Sequence, residues 1–215
     1  MNTDQLLLGL ENKLRPEHTA LLIVDMQNDF CSPGGFIDRS TAFDASSTDG
    51  IVGSIQRLRE AAAARGVLTV HITSRFDEPS LNAPARERLV RKGMEPYCVP
   101  GTWGAQIIDA LAPTPAERTL VKTAYDGFYG TGLDALLAES GIATVVVTGL
   151  ATDNCVAATA KSAFYRGHYV VLPSDACTSG TPQQQSAALT IADHAFAEIS
   201  DAGTVCEHWS AGSSS

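Results

Sequence analysis

Short apolar runs recur along this chain, each closed by a polar or glycine-bearing turn. They are Ala20–Val24, Val67–Ile72, Thr119–Val121, Ala143–Thr148, Tyr169–Leu172 and Gly203–Cys206. A strand with one face in water alternates apolar and polar positions, whereas an unbroken run suits a strand covered on both faces, as in a parallel sheet. Between the runs the apolar positions change to a helical period. Ile51, Ile55, Leu58 and Ala62 share one helical face, and Gly66 follows where a left-handed glycine ends a helix. Leu133, Leu136 and Leu137 before Gly141 repeat the arrangement, as do Val156, Thr159, Ala160 and Ala163 before Gly167. Strands alternating with helices imply βαβ units with right-handed crossovers, and so a three-layer α/β/α domain.

No repeat or linker divides the chain. The reading is one domain over residues 19–207, with an N-terminal arm (1–18) and a flexible tail (208–215). The charged, proline-bearing stretch from Arg75 to Gly101 has no clean period and is expected to be a long excursion near the functional site.

Composition narrows the function. With 215 residues, 44% hydrophobic and 18% charged, the chain can bury a sizeable core. A net charge of −9, from 15 basic and 24 acidic residues without basic runs, argues against nucleic acid as a partner. No apolar run approaches the roughly 20 residues of a membrane span, and no signal peptide is recognised, so a cytoplasmic protein with no membrane partner is expected. The five cysteines, Cys31, Cys98, Cys155, Cys177 and Cys206, are odd in number and lack C-x-x-C spacing, which suggests neither a disulfide framework nor a zinc site.

Ligands of open parallel sheets bind beyond the carboxyl ends of the strands, and three residues stand at such ends. Asp25 closes Leu21-Leu-Ile-Val-Asp25, where it can equally cap the following loop. Lys122 closes Thr119-Leu-Val-Lys122, a place where a lysine usually faces water. Cys155 follows Val147-Thr-Gly-Leu-Ala-Thr-Asp-Asn, in which Thr152 or Asp153 can cap the next helix. That puts Cys155 in a first helical turn, where unpaired N–H groups and the helix dipole favour a thiolate. A buried structural thiol is the ordinary alternative, and it is the expectation for the other four cysteines. Together the three types suit attack on a carbonyl carbon: a cysteine nucleophile, an aspartate that moves the proton, and a lysine that holds the charge states.

These residues also carry a resemblance. Asp25-Met-Gln-Asn-Asp-Phe30, Val121-Lys122 and Gly149-Leu-Ala-Thr-Asp-Asn-Cys-Val156 resemble the isochorismatase-like cysteine hydrolases. That family includes nicotinamidases, N-carbamoylsarcosine amidases, ureidoacrylate and biuret hydrolases and, without the cysteine, isochorismatases. The resemblance implies a six-stranded, mostly parallel sheet, an Asp25–Lys122–Cys155 triad and a cis peptide between Leu150 and Ala151. It also implies an oxyanion hole made by the Ala151 and Cys155 N–H groups, and a homodimer or homotetramer. Phe30, Trp103, Tyr125, Tyr129, Thr152 and Arg75 are expected to face the substrate. For the aromatics and Arg75, ordinary core or surface roles are the alternative.

Nicotinamidases carry a metal beside the triad, held by an Asp-x-His pair after the second strand. Here that segment reads His71-Ile-Thr-Ser-Arg-Phe-Asp77, which puts Arg75 where the aspartate belongs. Arginine is no ligand for a cation, so neither a metal nor another cofactor is expected. The sequence expectation is a cysteine-dependent amidohydrolase acting on a small amide, carbamoyl or ureido substrate. A metal-bearing nicotinamidase and a thiol-independent isochorismatase-type hydrolase are the alternatives.

Overall fold

The computed structural model describes residues 6–39 and 48–211. The chain runs α1 (Leu10–Lys13), β1 (Thr19–Val24), α2 (Asn28–Cys31), α3 (Phe36–Arg39), α4 (Asp49–Arg65), β2 (Leu68–Ser74), α5 (Ala83–Lys92) and β3 (Arg118–Lys122). It continues through α6 (Leu133–Glu139), β4 (Thr144–Leu150), α7 (Ala157–Tyr165), β5 (Tyr169–Pro173), β6 (Cys177–Thr178), α8 (Pro182–Ala195), β7 (Glu198–Ser200) and α9 (Ala202–Ala211). Every strand pairing is parallel, in the order β3-β2-β1-β4-β5-β7, with the two-residue β6 beside the end of β4.

The alternating side chains of β1 separate two cores. Leu21 and Ile23 pack with Ile55 and Leu58 of α4 and Val205 and Trp209 of α9. Ala20, Leu22 and Val24 pack on the other face, with Leu133 and Leu137 of α6 and Ala160 and Ala163 of α7. Both faces of the central strands are covered, which is why their sequences read as unbroken apolar runs. The chain begins in the middle of the sheet, winds outward to β2 and β3, then crosses back to β4. Strand order therefore reverses between β1 and β4, and the crevice beyond their carboxyl ends is the topological switch point of the fold.

Two elements differ from the sequence expectation. Gly203–Cys206 is helical, within α9, and the last strand is β7. Ala202, Val205 and Trp209 recur at helical spacing and are all fully buried, so packing overrides the β-propensity of Thr204 and Val205. Trp209 lies beyond residue 207, and Leu14, within the arm, is also fully buried; residues 1–5 and 212–215 lie outside the described residues. The Arg75–Gly101 excursion contains α5, whose start is capped by the Asn82 side chain accepting from Ala85 N–H and whose end is the left-handed Gly93. No helix among the described residues is long and apolar enough to cross a membrane.

Candidate active site

At the switch point β1 and β4 press together as they end. A Cβ on Gly149, whose φ is 102°, would stand 2.0 Å from the Val24 carbonyl oxygen, so only glycine fits there. The Leu150–Ala151 peptide that follows is cis. On the facing strand, Asp25 has left-handed backbone, with φ 58°, a region Asp enters more readily than most side chains. Its N–H still bonds the Ile72 carbonyl at 2.8 Å.

Asp25, Lys122 and Cys155 meet here, although each comes from a different strand end. Lys122 is fully buried, and its three ammonium donors have three partners: Asp25 Oδ2 at 2.9 Å, Ser74 Oγ at 2.7 Å and Cys155 Sγ at 3.4 Å. Burial pushes the ammonium pKa down, but Asp25 and Cys155 outweigh it and hold the group above its ordinary value. Burial, then the Asp25 carboxylate, pushes the Cys155 thiol well up, while Lys122 pulls it down. The helix start and Lys122 thus favour a thiolate, while burial and the Asp25 carboxylate oppose it.

Ser74 is a member of the cluster that the sequence did not single out. Its hydroxyl accepts from Lys122 and donates to Asp25 Oδ1 at 2.8 Å. Gln27 fixes its backbone, accepting the Ser74 N–H at 2.7 Å through Oε1 and donating to the Ser74 carbonyl at 3.0 Å through Nε2. The only sequence signal is that Ser74 closes β2 beside Asp25.

Asp25, Ser74, Ala151 and Cys155 open into a cavity of about 330 Å³, at the small end of the range for small-molecule sites. Its walls are aromatic. Tyr97 stacks on Phe36 at 4.3 Å and on Phe76 at 4.8 Å, with Phe30 edge-on at 5.6 Å, and Phe76 stacks on Tyr125 at 5.8 Å. The buried Asp29 pins this wall, accepting from the Phe36 N–H at 3.1 Å and the Cys98 N–H at 2.6 Å.

Of the residues expected to face substrate, Phe30 and Tyr125 line the cavity; Trp103, Tyr129, Thr152 and Arg75 do not. Trp103 is 49% exposed and Tyr129 61% exposed. The Trp103 loop serves the site through its backbone, its carbonyl accepting from the Asn28 side chain at 2.9 Å. Gly104 lets it approach, since a Cβ there would fall 2.4 Å from the Asp29 carboxylate. Thr152 is buried in the turn that carries Cys155. Arg75 spends its guanidinium on Asp77, at 2.8 and 2.9 Å. Among the described residues no three His, Cys, Asp or Glu side chains are grouped to hold a metal, so the residues here do not fit one.

The isochorismatase domain family matches residues 19–204. The chain belongs to the isochorismatase family of hydrolases. Within it, the chain is similar to the isochorismatase-like cysteine hydrolases. A cysteine hydrolase from Pseudomonas syringae pv. phaseolicola has a TM-score of 0.81 at 27% identity, covering 93% of this chain and 95% of that one. An isochorismatase family protein from Desulfovibrio vulgaris has 0.77 at 32%, covering 88% and 96%. N-carbamoylsarcosine amidase from Thermoplasma acidophilum has 0.70 at 27%, covering 86% and 96%.

Proposed function

We propose that this isochorismatase-family hydrolase is a cysteine-dependent amidohydrolase that cleaves a C–N bond of a small amide, carbamoyl or ureido compound. The observation that carries this reading is the buried Lys122 ammonium, which bonds Asp25 and the Cys155 thiol at once, behind the aromatic-walled cavity that Asp25 and Cys155 line. A hydrolase of a vinyl ether needs no thiol at this point. The likeness to N-carbamoylsarcosine amidase agrees with the reading.

In the proposed reaction Asp25 takes the thiol proton as Cys155 Sγ attacks the substrate carbonyl carbon, and Lys122 balances the charge that moves from carboxylate to sulfur. The Ala151 and Cys155 N–H groups hold the oxyanion of the tetrahedral adduct. Asp25 gives its proton to the leaving nitrogen as the C–N bond breaks, which leaves a thioester and ammonia or an amine. Asp25 then draws a proton from water as the water oxygen attacks the thioester, and the acid departs with the thiol restored. Phe30 and Tyr125 confine the substrate body, and aromatic walls exclude bulk water from the thioester.

Ammonia release across a panel of small amides, carbamoyl compounds and ureides, with Cys155→Ala beside the unaltered protein, tests this reading. The expected result is turnover of at least one compound and a loss of at least about 10³-fold in the variant. Turnover that survives the substitution would point to the thiol-independent isochorismatase-type reaction instead.

A further inference from the structure

The turn that carries Cys155 leaves the sheet where β4 ends. Up to that point a ladder holds the backbone. The Gly149 N–H bonds the Ala176 carbonyl at 2.9 Å, and β6 sets Cys177 opposite Gly149 and Thr178 opposite Leu150. The pairing stops at Leu150, and the chain passes into a π-helical turn over Thr152–Val156. Within the turn, the Asn154 and Val156 N–H groups both bond the Ala151 carbonyl, at 3.0 and 3.1 Å. Those bonds shape the turn without tying it to a neighbouring element.

Ser179, the residue after β6, supplies a tie from outside. Its Oγ accepts the Asp153 N–H at 3.2 Å, and the residue is buried. Its own place is fixed on both sides. Before it, Gln185 of α8 donates to the Cys177 carbonyl at 3.0 Å; after it, Thr181 caps α8 by accepting the Gln184 N–H at 3.2 Å. Ser179 thus sits on a short bridge between a strand and a helix, a rigid place from which to hold a neighbouring backbone. Gly180 lines the cavity and Ser179 does not, so the hydroxyl acts on the turn.

We infer that Ser179 is a positioning residue for the oxyanion hole. Asp153 stands midway between Ala151 and Cys155, whose N–H groups receive the oxyanion in the proposed reaction; the inference rests on that reading for the identity of the donors. Holding the midpoint of this five-residue stretch fixes the spacing and direction of the two N–H groups that flank it. Such donors stabilise a transition state only where they already point at the developing charge, and a displacement of about 1 Å costs roughly 100-fold in rate. The sulfur has its own partner in Lys122, so Ser179 acts on the oxygen of the adduct and not on the thiol.

Ser179→Ala and Ser179→Thr test it, with Ser174→Ala as a control. Ser174 lies in the same segment, and its hydroxyl donates to the Ser200 carbonyl at 3.2 Å. Each protein is read in three ways: turnover of a small amide, affinity for a small aromatic aldehyde, and the rate at which iodoacetamide alkylates the peptide containing Cys155. The aldehyde takes up the Cys155 S–H across its C=O bond, sulfur to carbon and proton to oxygen, which sets an oxygen in the hole without turnover. In alkylation the sulfur displaces iodide, and no oxygen is placed there. Ser179→Ala is expected to lower kcat roughly 10- to 100-fold with KM little changed, and to weaken aldehyde binding about tenfold or more. Its alkylation rate should be unchanged. Ser179→Thr should restore most of both losses, and Ser174→Ala should show neither. Unchanged kcat and aldehyde affinity in Ser179→Ala overturn the inference, and so does an alkylation rate that falls in step with them, the mark of a merely loosened site. Aldehyde binding weakened in Ser179→Ala, with no amide turned over by the unaltered protein, keeps the positioning role and sinks the amidohydrolase reading. An unaltered protein that forms no aldehyde adduct sinks the positioning role.

Discussion

Lys122 has three ammonium protons and no water to give them to. Its partners are a carboxylate, a hydroxyl and a thiol, and a buried charge is tolerated only when its hydrogen bonds are met in this way. Ser74 completes the set. Because its oxygen accepts from Lys122, its single proton is directed to Asp25, so the hydroxyl holds both ends of the ion pair in register. Ser74→Ala removes one acceptor from Lys122 and one donor from Asp25. It is expected to lower kcat roughly 10- to 100-fold with KM little changed, and Ser74→Thr should restore most of the loss. An unchanged kcat in Ser74→Ala, measured on the same substrate, would remove Ser74 from the machinery. Asp25, Lys122 and Cys155 were legible because each ends an apolar run, or begins the helix after one, and the fold puts such ends together. Ser74 and Gln27 were not, because their roles depend on which strands are neighbours and in what register. Trp103 and Tyr129 stand outside the cavity lining: an aromatic side chain is visible in sequence, while the backbone contact its loop makes is not.

At the scale of elements, the close approach of β1 and β4 sets the site's dimensions. Gly149→Ala would place a methyl 2.0 Å from the Val24 carbonyl oxygen, on a backbone at φ 102°. The strands must part, and the expected cost is roughly 2–4 kcal/mol of stability, read as a lower midpoint in urea unfolding. Activity should fall further than stability explains, since Asp25 and Ala151 follow directly on the two strands. A variant with a normal midpoint would show that the contact is not required. The helical period of α4, α6 and α7 announced those elements, and glycines marked their ends. The α9 helix was hidden by Thr204 and Val205, whose local preference for strand is outvoted by Trp209 and Val205 packing on α4. The α5 helix was marked by Asn82, Pro84 and Gly93, a cap, a first-turn proline and a terminator, but its many charges hid its period.

For the molecule as a whole, the two ends of the sheet divide the work. The carboxyl ends carry the proposed chemistry, and the amino ends carry a compact ion network that ties α4 to the segment entering β3. Arg59 meets both oxygens of Glu117, at 2.8 and 2.6 Å, and Thr114 N–H adds a third bond at 2.7 Å. Burial pushes the Glu117 carboxyl up, but these partners outweigh it and hold it at about 2, below its ordinary 4.5. A carboxyl depressed on folding stabilises above its unfolded value, and that stability is lost as pH falls from about 4.5 towards 2. Glu117→Gln is expected to cost about 1–3 kcal/mol at neutral pH and to flatten the acid side of the stability profile. An unfolding curve as steep as before in that window would contradict this. Sequence gave the three layers and the switch-point location. The aromatic cavity was out of its reach, because Phe30, Phe36, Phe76, Tyr97 and Tyr125 converge from segments far apart in the chain.

The central claim is that the Cys155 thiol becomes acylated, with Asp25 taking its proton. Acid-quenched intact-protein and peptide mass spectrometry during turnover of an amide substrate reads this directly. The expected result is an acyl mass on the peptide containing Cys155, formed by the unaltered protein and absent in Cys155→Ala. Steady turnover with no adduct on Cys155, or an adduct on Cys31, Cys98, Cys177 or Cys206 instead, would contradict it.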